Sequence, residues 1–185
     1  MTNVAVPLSL ERIVDEAIAI LDEEGAAAFS RRRLATRLGV STMSTYHHAA
    51  DESTLVEAVA ERIMAELEIP DADDDWPDAV RTLAWSFRRI TLAHPEAFKV
   101  LLAGARPMAL LRTAETVQSL LEHRGFDSAT ALMVFRTVLR YLIGSAVADQ
   151  GGVAGTGVLD GSKGDAQFGF GLEAIIAGVL SGQPT

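Results

Sequence analysis

The chain has 185 residues, 49% of them hydrophobic, and a formal net charge of −9. That is enough apolar material for a sizeable core, and the absence of cysteine excludes disulfides and thiolate chemistry and fits a reducing cytoplasm. The acidic balance excludes general affinity for nucleic acid but not a local basic patch, because DNA responds to where charge sits.

In chain order, residues 1 to 8 are expected to form a loose arm without the basic start and apolar run of a signal peptide. Ser9 is a predicted N-cap, with Leu8 placed to staple against Ile13. Leu10, Ile13, Val14, Ala17, Ile20 and Leu21 recur at helical spacing, and Gly25 ends that helix. Ser30 is the predicted cap of a helix over Arg31 to Leu38, and Ser41 of one over Thr42 to His48, with Gly39 in the turn between them. A fourth helix starts at Asp51 or Glu52, whose charge suits the helix dipole, and its apolar stripe predicts an end at Leu67.

Glu66 to Asp78 holds seven acidic residues and no basic one, with Pro70 and Pro77, and is expected as a solvated connection. Its DADDD run lacks the glycine and spaced ligands of a calcium loop, so no metal site is expected there. Helices resume after Pro77 with a stripe of Val80, Leu83, Ala84, Phe87, Ile90, Thr91 and His94. Glu96 to Ala103, Met108 to His123, a start at Asp127 or Ser128 running to Asp149, and Gln167 to Leu180 complete the set. The fold class is all-α, with about nine helices. The expected organisation is a DNA-binding domain over residues 1–50, a connecting helix and acidic start of a linker over 51–69, and a ligand-binding and dimerisation domain over 70–185.

Apolar residues surround the predicted helix reaching Asp149, which should be covered on several sides. Arg136 and Arg140 interrupt its apolar run, so no membrane span is expected. Two adjacent apolar helices at the C-terminus suit pairing with their copies, which predicts a homodimer through the last two helices. Gly151 to Gly164, with six glycines, is expected to be a loop.

The stretch from Phe29 to Leu55 carries Arg31, Arg32, Arg33 and Arg37 and no acidic residue until Asp51. Helix, glycine-containing turn, helix, with basic and small polar side chains outward, is the pattern of a helix-turn-helix that reads DNA. Thr42, Met43, Ser44 and His47 are expected toward the major groove: hydroxyls can pair with several base edges, and a methionine can touch a thymine methyl. Arg31, Arg33 and Arg37 are expected at phosphates or in solvent, Arg33 contributing least. Ser30 is expected to cap its helix and offer its backbone N–H to a phosphate. His47 and His48 do not face one way on a helix, so metal binding is not expected.

Enzyme signatures are missing. GVLDGSK lacks the residue order of a phosphate loop, and Asp160 stands where a dinucleotide motif beginning at Gly155 needs glycine. There is no GxSxG and no metal-spaced histidine pair, so neither catalysis nor a cofactor is expected, and a small all-α enzyme is a remote alternative.

The segments RIVDEAIAILDEEG (Arg12 to Gly25), FSRRRLATRLGVSTMSTYHH (Phe29 to His48) and LVEAVAERI (Leu55 to Ile63) resemble the tetracycline-repressor (TetR) family of transcriptional regulators. The resemblance covers nearly the whole chain. It implies a homodimer in which a three-helix DNA-binding unit is joined by helix four to a helical domain holding a small-molecule pocket, with DNA released when ligand binds. It also implies phosphate contacts for Tyr46 and His48, and a base-edge contact for Arg32. Three positions depart from the family's habit. Ala49 replaces a common Phe, Glu52 replaces a Lys that sits near a phosphate, and Thr45 replaces a branched apolar residue, which predicts looser packing of the reading helix.

Effector contacts are expected among Trp85, Phe87, Arg88, His94, Phe98, Met108, Arg112, Phe135 and Tyr141, large apolar side chains with a few polar groups. Arg136 and Arg140 are expected to pair with Glu115 or Glu122. The partners implied are double-stranded operator DNA, a small-molecule effector and a second copy of the chain, in the cytoplasm and without a membrane. An activator, or a regulator answering to a protein partner, is the alternative reading.

Overall fold

The computed structural model describes residues 7–70, 74–103, 108–150 and 164–182. Most of the expected N-terminal arm, the first half of the DADDD run and the glycine-rich stretch with GVLDGSK lie outside the described residues. Among those described, the chain forms nine α-helices and a single 3-10 turn, and no strand. The helices are α1 Leu10–Glu24, α2 Arg31–Leu38, α3 Thr42–His48, α4 Glu52–Met64, α5 Trp76–Ala93, α6 Pro95–Ala103, α7 Met108–His123, α8 Ser128–Asp149 and α9 Gly164–Gly182.

Side-chain capping places most of the starts. Ser9, Ser30, Ser41, Asp51 and Asp127 each accept a backbone N–H from the first turn of the helix that follows. Several boundaries differ from the sequence expectation, three of them by three residues or with a visible cause. Helix α4 ends at Met64, and the Glu68 N–H is instead taken by the Ser86 hydroxyl at 2.8 Å. Helix α5 begins at Trp76 because Asp75 accepts the Asp78 N–H at 2.9 Å, which puts Pro77 in the first turn, where its missing N–H is not needed. Helix α9 begins three residues early, at Gly164.

The chain divides into two compact units, one of Met1–Ala65 with Ala93–Leu111 and the other of Glu66–Leu92 with Arg112–Thr185. The chain passes between the units after Ala65, Leu92 and Leu111.

In the first unit, Ile13, Val14, Ala17, Ile20 and Leu21 of α1 are buried with Leu34 and Ala35 of α2 and with Leu55, Val59, Ala60 and Ile63 of α4. Helix α6 adds Ala97, Phe98 and Leu101. Polar bonds fasten its N-terminal end to α1 and the 3-10 turn after it: His94 Nδ1 lies 2.7 Å from the Asp22 carboxylate, and Glu96 accepts the Ala26 N–H at 3.4 Å. On α4, Glu57 accepts the N–H of Met108, the first residue of α7, at 2.8 Å.

In the second unit, Trp76, Ala79, Val80, Leu83, Ala84, Phe87 and Ile90 of α5 are buried with Leu121, Phe126, Ala131, Val134, Leu142, Phe168, Leu172 and Ile176. Trp76 meets Phe126 edge-on at 5.3 Å. Arg88 is 6% exposed and bonds Asp149 at the end of α8 and Asp165 at the start of α9. Burial alone would lower its pKa, but the bonds to Asp165 and Asp149 more than offset that, so the guanidinium stays charged. Among the described residues, α8 has a buried side and an exposed one. Ala131, Val134, Leu142 and Ala146 are buried, while Met133 is 61% exposed. Among the described residues, α8 is the one helix long and apolar enough to span a bilayer, and Arg136 and Arg140 lie within it.

Candidate nucleic-acid interface

The turn between α2 and α3 is built on Gly39, whose φ of 69° and ψ of 29° fall in the left-handed region that glycine enters without penalty. Its N–H bonds the Thr36 carbonyl at 3.2 Å and the Val40 N–H bonds the Ala35 carbonyl at 3.0 Å, which closes α2 and redirects the chain. Ser41 then caps α3, accepting the Ser44 N–H at 3.1 Å, with the two hydroxyls 2.8 Å apart.

Helix α3 has one buried edge and one bare face. Thr45 and Ala49 are 0% exposed. The hydroxyl of Thr45 donates to the Thr42 carbonyl at 2.7 Å, so the polar atom brought into the core is satisfied within its own helix. On the other face Met43 is 68% and Tyr46 43% exposed, His47 and His48 are exposed, and Thr42 and Ser44 are half-buried. A bare helix face of this width, led by small polar side chains, fits a major groove.

The four arginines of α2 have four different environments. Arg33 forms a two-pronged pair with Glu24, at 2.9 and 2.8 Å. Arg37 is surrounded by Glu16, Glu23 and Glu24, at 2.7 Å from Glu23 and 3.0 Å from Glu24. Arg37, expected at a phosphate or in solvent, is here paired with carboxylates of α1. These bonds hold the Glu24 carboxyl below the usual carboxylate range, Arg33 contributing most and Arg37 next. Arg31 turns inward: its guanidinium lies 4.8 Å from the Tyr46 ring centroid and donates to the Asp51 carbonyl. Among the described residues, Arg32 alone of the four keeps an exposed side chain with no bond or ion pair.

Sequence reading missed this neutralisation because the acids lie outside the basic stretch. The available signal was Glu23 and Glu24 immediately before Gly25, with Glu16 two turns earlier on α1. Glu52 is exposed at the start of α4. The reading face is thus left with Arg32, a partly engaged Arg31 and two histidines.

The expected effector residues are divided between the two units. His94, Phe98 and Met108 belong to the first unit, and Trp85, Phe87, Arg88, Arg112, Phe135 and Tyr141 to the second. Phe87, Arg88 and Phe98 are buried, and the Arg88 donors are already bonded to Asp149 and Asp165. His94 is bonded to Asp22, and Met108 is 54% exposed. In the second unit, Trp85 meets Phe168 edge-on at 4.8 Å and Tyr141 stacks on it at 5.5 Å. Among the described residues, no group of histidine, aspartate and glutamate side chains is arranged to hold a metal ion.

The family described as Tetracyclin repressor-like, C-terminal domain, matches residues 69–163. Over 154 residues the chain is 31% identical to the tetracycline repressor protein class A from transposon 1721 of Escherichia coli, covering 81% of this chain and 71% of that one. A crystal structure of a TetR variant from Acinetobacter baumannii AYE in complex with minocycline superposes with a TM-score of 0.80 at 28% identity, over 97% of this chain and 100% of that one. The crystal structure of BioQ with its double-stranded DNA operator gives a TM-score of 0.74 at 26% identity, over 95% of this chain and 99% of that one.

Proposed function

The chain belongs to the tetracycline-repressor family of transcriptional regulators, and from that premise we propose that it holds a palindromic operator as a homodimer and releases it when a small molecule binds. The observation that carries this reading is the division of α3 into a buried edge, Thr45 and Ala49, and an exposed face, Met43, Tyr46, His47 and His48. The exposed face of a helix presented in this way suits base edges in width and chemistry. Relatives seen with operator DNA and with minocycline support the two halves of the cycle.

Roles on the duplex follow from each environment. Arg32, exposed and unengaged among the described residues, takes a guanine in a bidentate contact. Thr42, Met43, Ser44 and His47 contact neighbouring bases. Ser30, Tyr46 and His48 contact phosphates and fix the register. The residues over 70–185 supply the effector pocket and the dimer contact, with Trp85, Phe135 and Tyr141 as effector contacts. The exposed side of α8 (Met133, Val147) and of α9 (Phe170, Leu180) suits a second copy.

The two reading helices of a dimer meet successive major-groove turns, about 34 Å apart, only at some separations. An effector that favours another separation weakens DNA binding, and DNA weakens effector binding by the same factor, ordinarily about 1–3 kcal/mol. Selection from a random duplex pool at moderate salt tests the reading: a two-fold symmetric site should be enriched. Recovery of unenriched sequence would remove it.

A further inference from the structure

Arg31 is the first residue of α2, yet its side chain leaves that helix and serves two others. Its guanidinium carbon lies 4.8 Å from the centroid of Tyr46 in the last turn of α3, within the range at which a ring face attracts a cation. Its Nη2 donates to the carbonyl of Asp51, while Nη1 is enclosed and finds no acceptor among the described residues. Asp51 is the residue on which α4 starts, since its carboxylate accepts the Thr54 N–H at 2.6 Å. That bond, aided by the Arg31 charge, holds the Asp51 carboxyl below its usual range.

One side chain therefore links the reading helix to the capping residue of the connecting helix. The arrangement matters because α3 has only seven residues, too few to hold a helix by its own backbone bonds. Its orientation depends on what its side chains touch. Thr45 and Ala49 fix the inner edge, and the Arg31 guanidinium covers a face of the outer aromatic.

We propose that Arg31 is a positioning residue for DNA recognition. It sets Tyr46, and with it the last turn of α3, against the start of α4, so that operator affinity depends on Arg31 through Tyr46 and not through a charge delivered to phosphate. The proposal rests on the reading of α3 as the DNA-reading helix. It assigns to Arg31 a task different from that of Arg32 beside it, and it makes the Asp51 carbonyl the point at which a movement of α4 reaches Tyr46.

The test uses the full chain with Arg31→Lys, Arg31→Met, Tyr46→Leu and the Arg31→Met/Tyr46→Leu pair, and a duplex selected with the unaltered protein. Lysine keeps the charge but not the plane that lies on a ring. Arg31→Lys and Arg31→Met should each weaken binding about three- to thirtyfold. The slope of log affinity against log salt should be unchanged in Arg31→Met, and that change should have no further effect once Tyr46 is Leu. A phosphate contact gives the opposite: lysine near the unaltered affinity, a slope reduced by about 1.8 (about 0.9 for each of the dimer's two copies), and additive losses. Any of these three results overturns the proposal.

A second measurement needs no DNA. In the free protein, amide exchange over residues 42–49 should rise in Arg31→Met while α1 stays protected, and unchanged exchange there overturns the proposal. If the unaltered chain selects no duplex and this exchange still rises, the DNA-reading function falls while the positioning role stands. Should Arg31→Met fail to fold, Arg31→Lys, alone and on Tyr46→Leu, carries the affinity and exchange comparisons.

Discussion

Tyr141 of α8 rests on Gly171 of α9. Its hydroxyl donates to the Phe168 carbonyl at 2.6 Å, and a Cβ placed on Gly171 would lie 2.5 Å from that oxygen. Neither helix can turn about its axis or slide without losing the bond. Gly171→Ala inserts one carbon into this contact and should destabilise the chain by about 1–3 kcal/mol, as overpacking does elsewhere. Denaturant unfolding of Gly171→Ala with and without Tyr141→Phe checks this, since the smaller partner should recover part of the loss. An unchanged midpoint in Gly171→Ala would show that the two helices have room to spare.

The Arg37 cluster makes a prediction that separates folding from DNA binding. Its guanidinium is held by Glu16, Glu23 and Glu24, so Arg37→Met should lower the melting temperature by loosening α2 from α1. The salt dependence of DNA binding should keep its slope, because no phosphate contact is removed. A shallower slope with unchanged melting would return Arg37 to the DNA.

Glu52 is an exposed acid at the head of α4, where the family often has lysine. Glu52→Lys should raise affinity for all duplexes alike and steepen the salt slope by about 1.8, about 0.9 for each of the dimer's two copies. Base preferences in a selection should not move. Improved discrimination instead of uniformly tighter binding would mean that the residue faces a base and not the backbone.

Acid should unfold the chain through a defined set of carboxylates. Glu24 is held low by Arg33 and Arg37, Asp51 by the Thr54 N–H, Glu96 by Lys99 and the Ala26 N–H, Asp127 by Thr130, and Glu173 by Arg81. A carboxyl whose folded pKa lies below its unfolded value adds stability that is complete above the unfolded value, about 3.9–4.3, and is lost as pH falls through the folded value. Melting temperature should therefore be flat from neutral pH to about 5 and decline below that. Glu24→Gln should flatten part of the decline, and a curve that rises on acidification would contradict the assignments.

Much of this architecture is legible before any coordinates, because it is written in local chemistry. Ser9, Ser30, Ser41 and Asp127 announce helix starts through a side chain that reaches three residues or fewer, and Gly25 and Gly39 announce stops through backbone angles closed to other residues. What depends on residues far apart in the chain is not legible in that way. The pairing of Arg37 with α1, of Arg31 with Tyr46 and of Arg88 with Asp149 and Asp165 joins positions 13 to 77 residues apart. No spacing rule links them. The basic stretch therefore looked four charges strong, and only the fold reveals that two of them are spoken for. The exposed faces of α8 and α9 show the same limit from the other side. An apolar helix reads alike whether its own chain covers it or a second copy does.

The central claim is that the bare face of α2 and α3 reads base sequence, and Arg32 tests it most directly. Duplex selection would be run in parallel with the unaltered chain and with Arg32→Ala. The account predicts that preference disappears at one position in each half of a two-fold site, a discrimination worth about 1–3 kcal/mol, while the remaining positions keep theirs. An equal loss of affinity for every sequence, with base preferences intact, would contradict it and make Arg32 one more contact to the backbone.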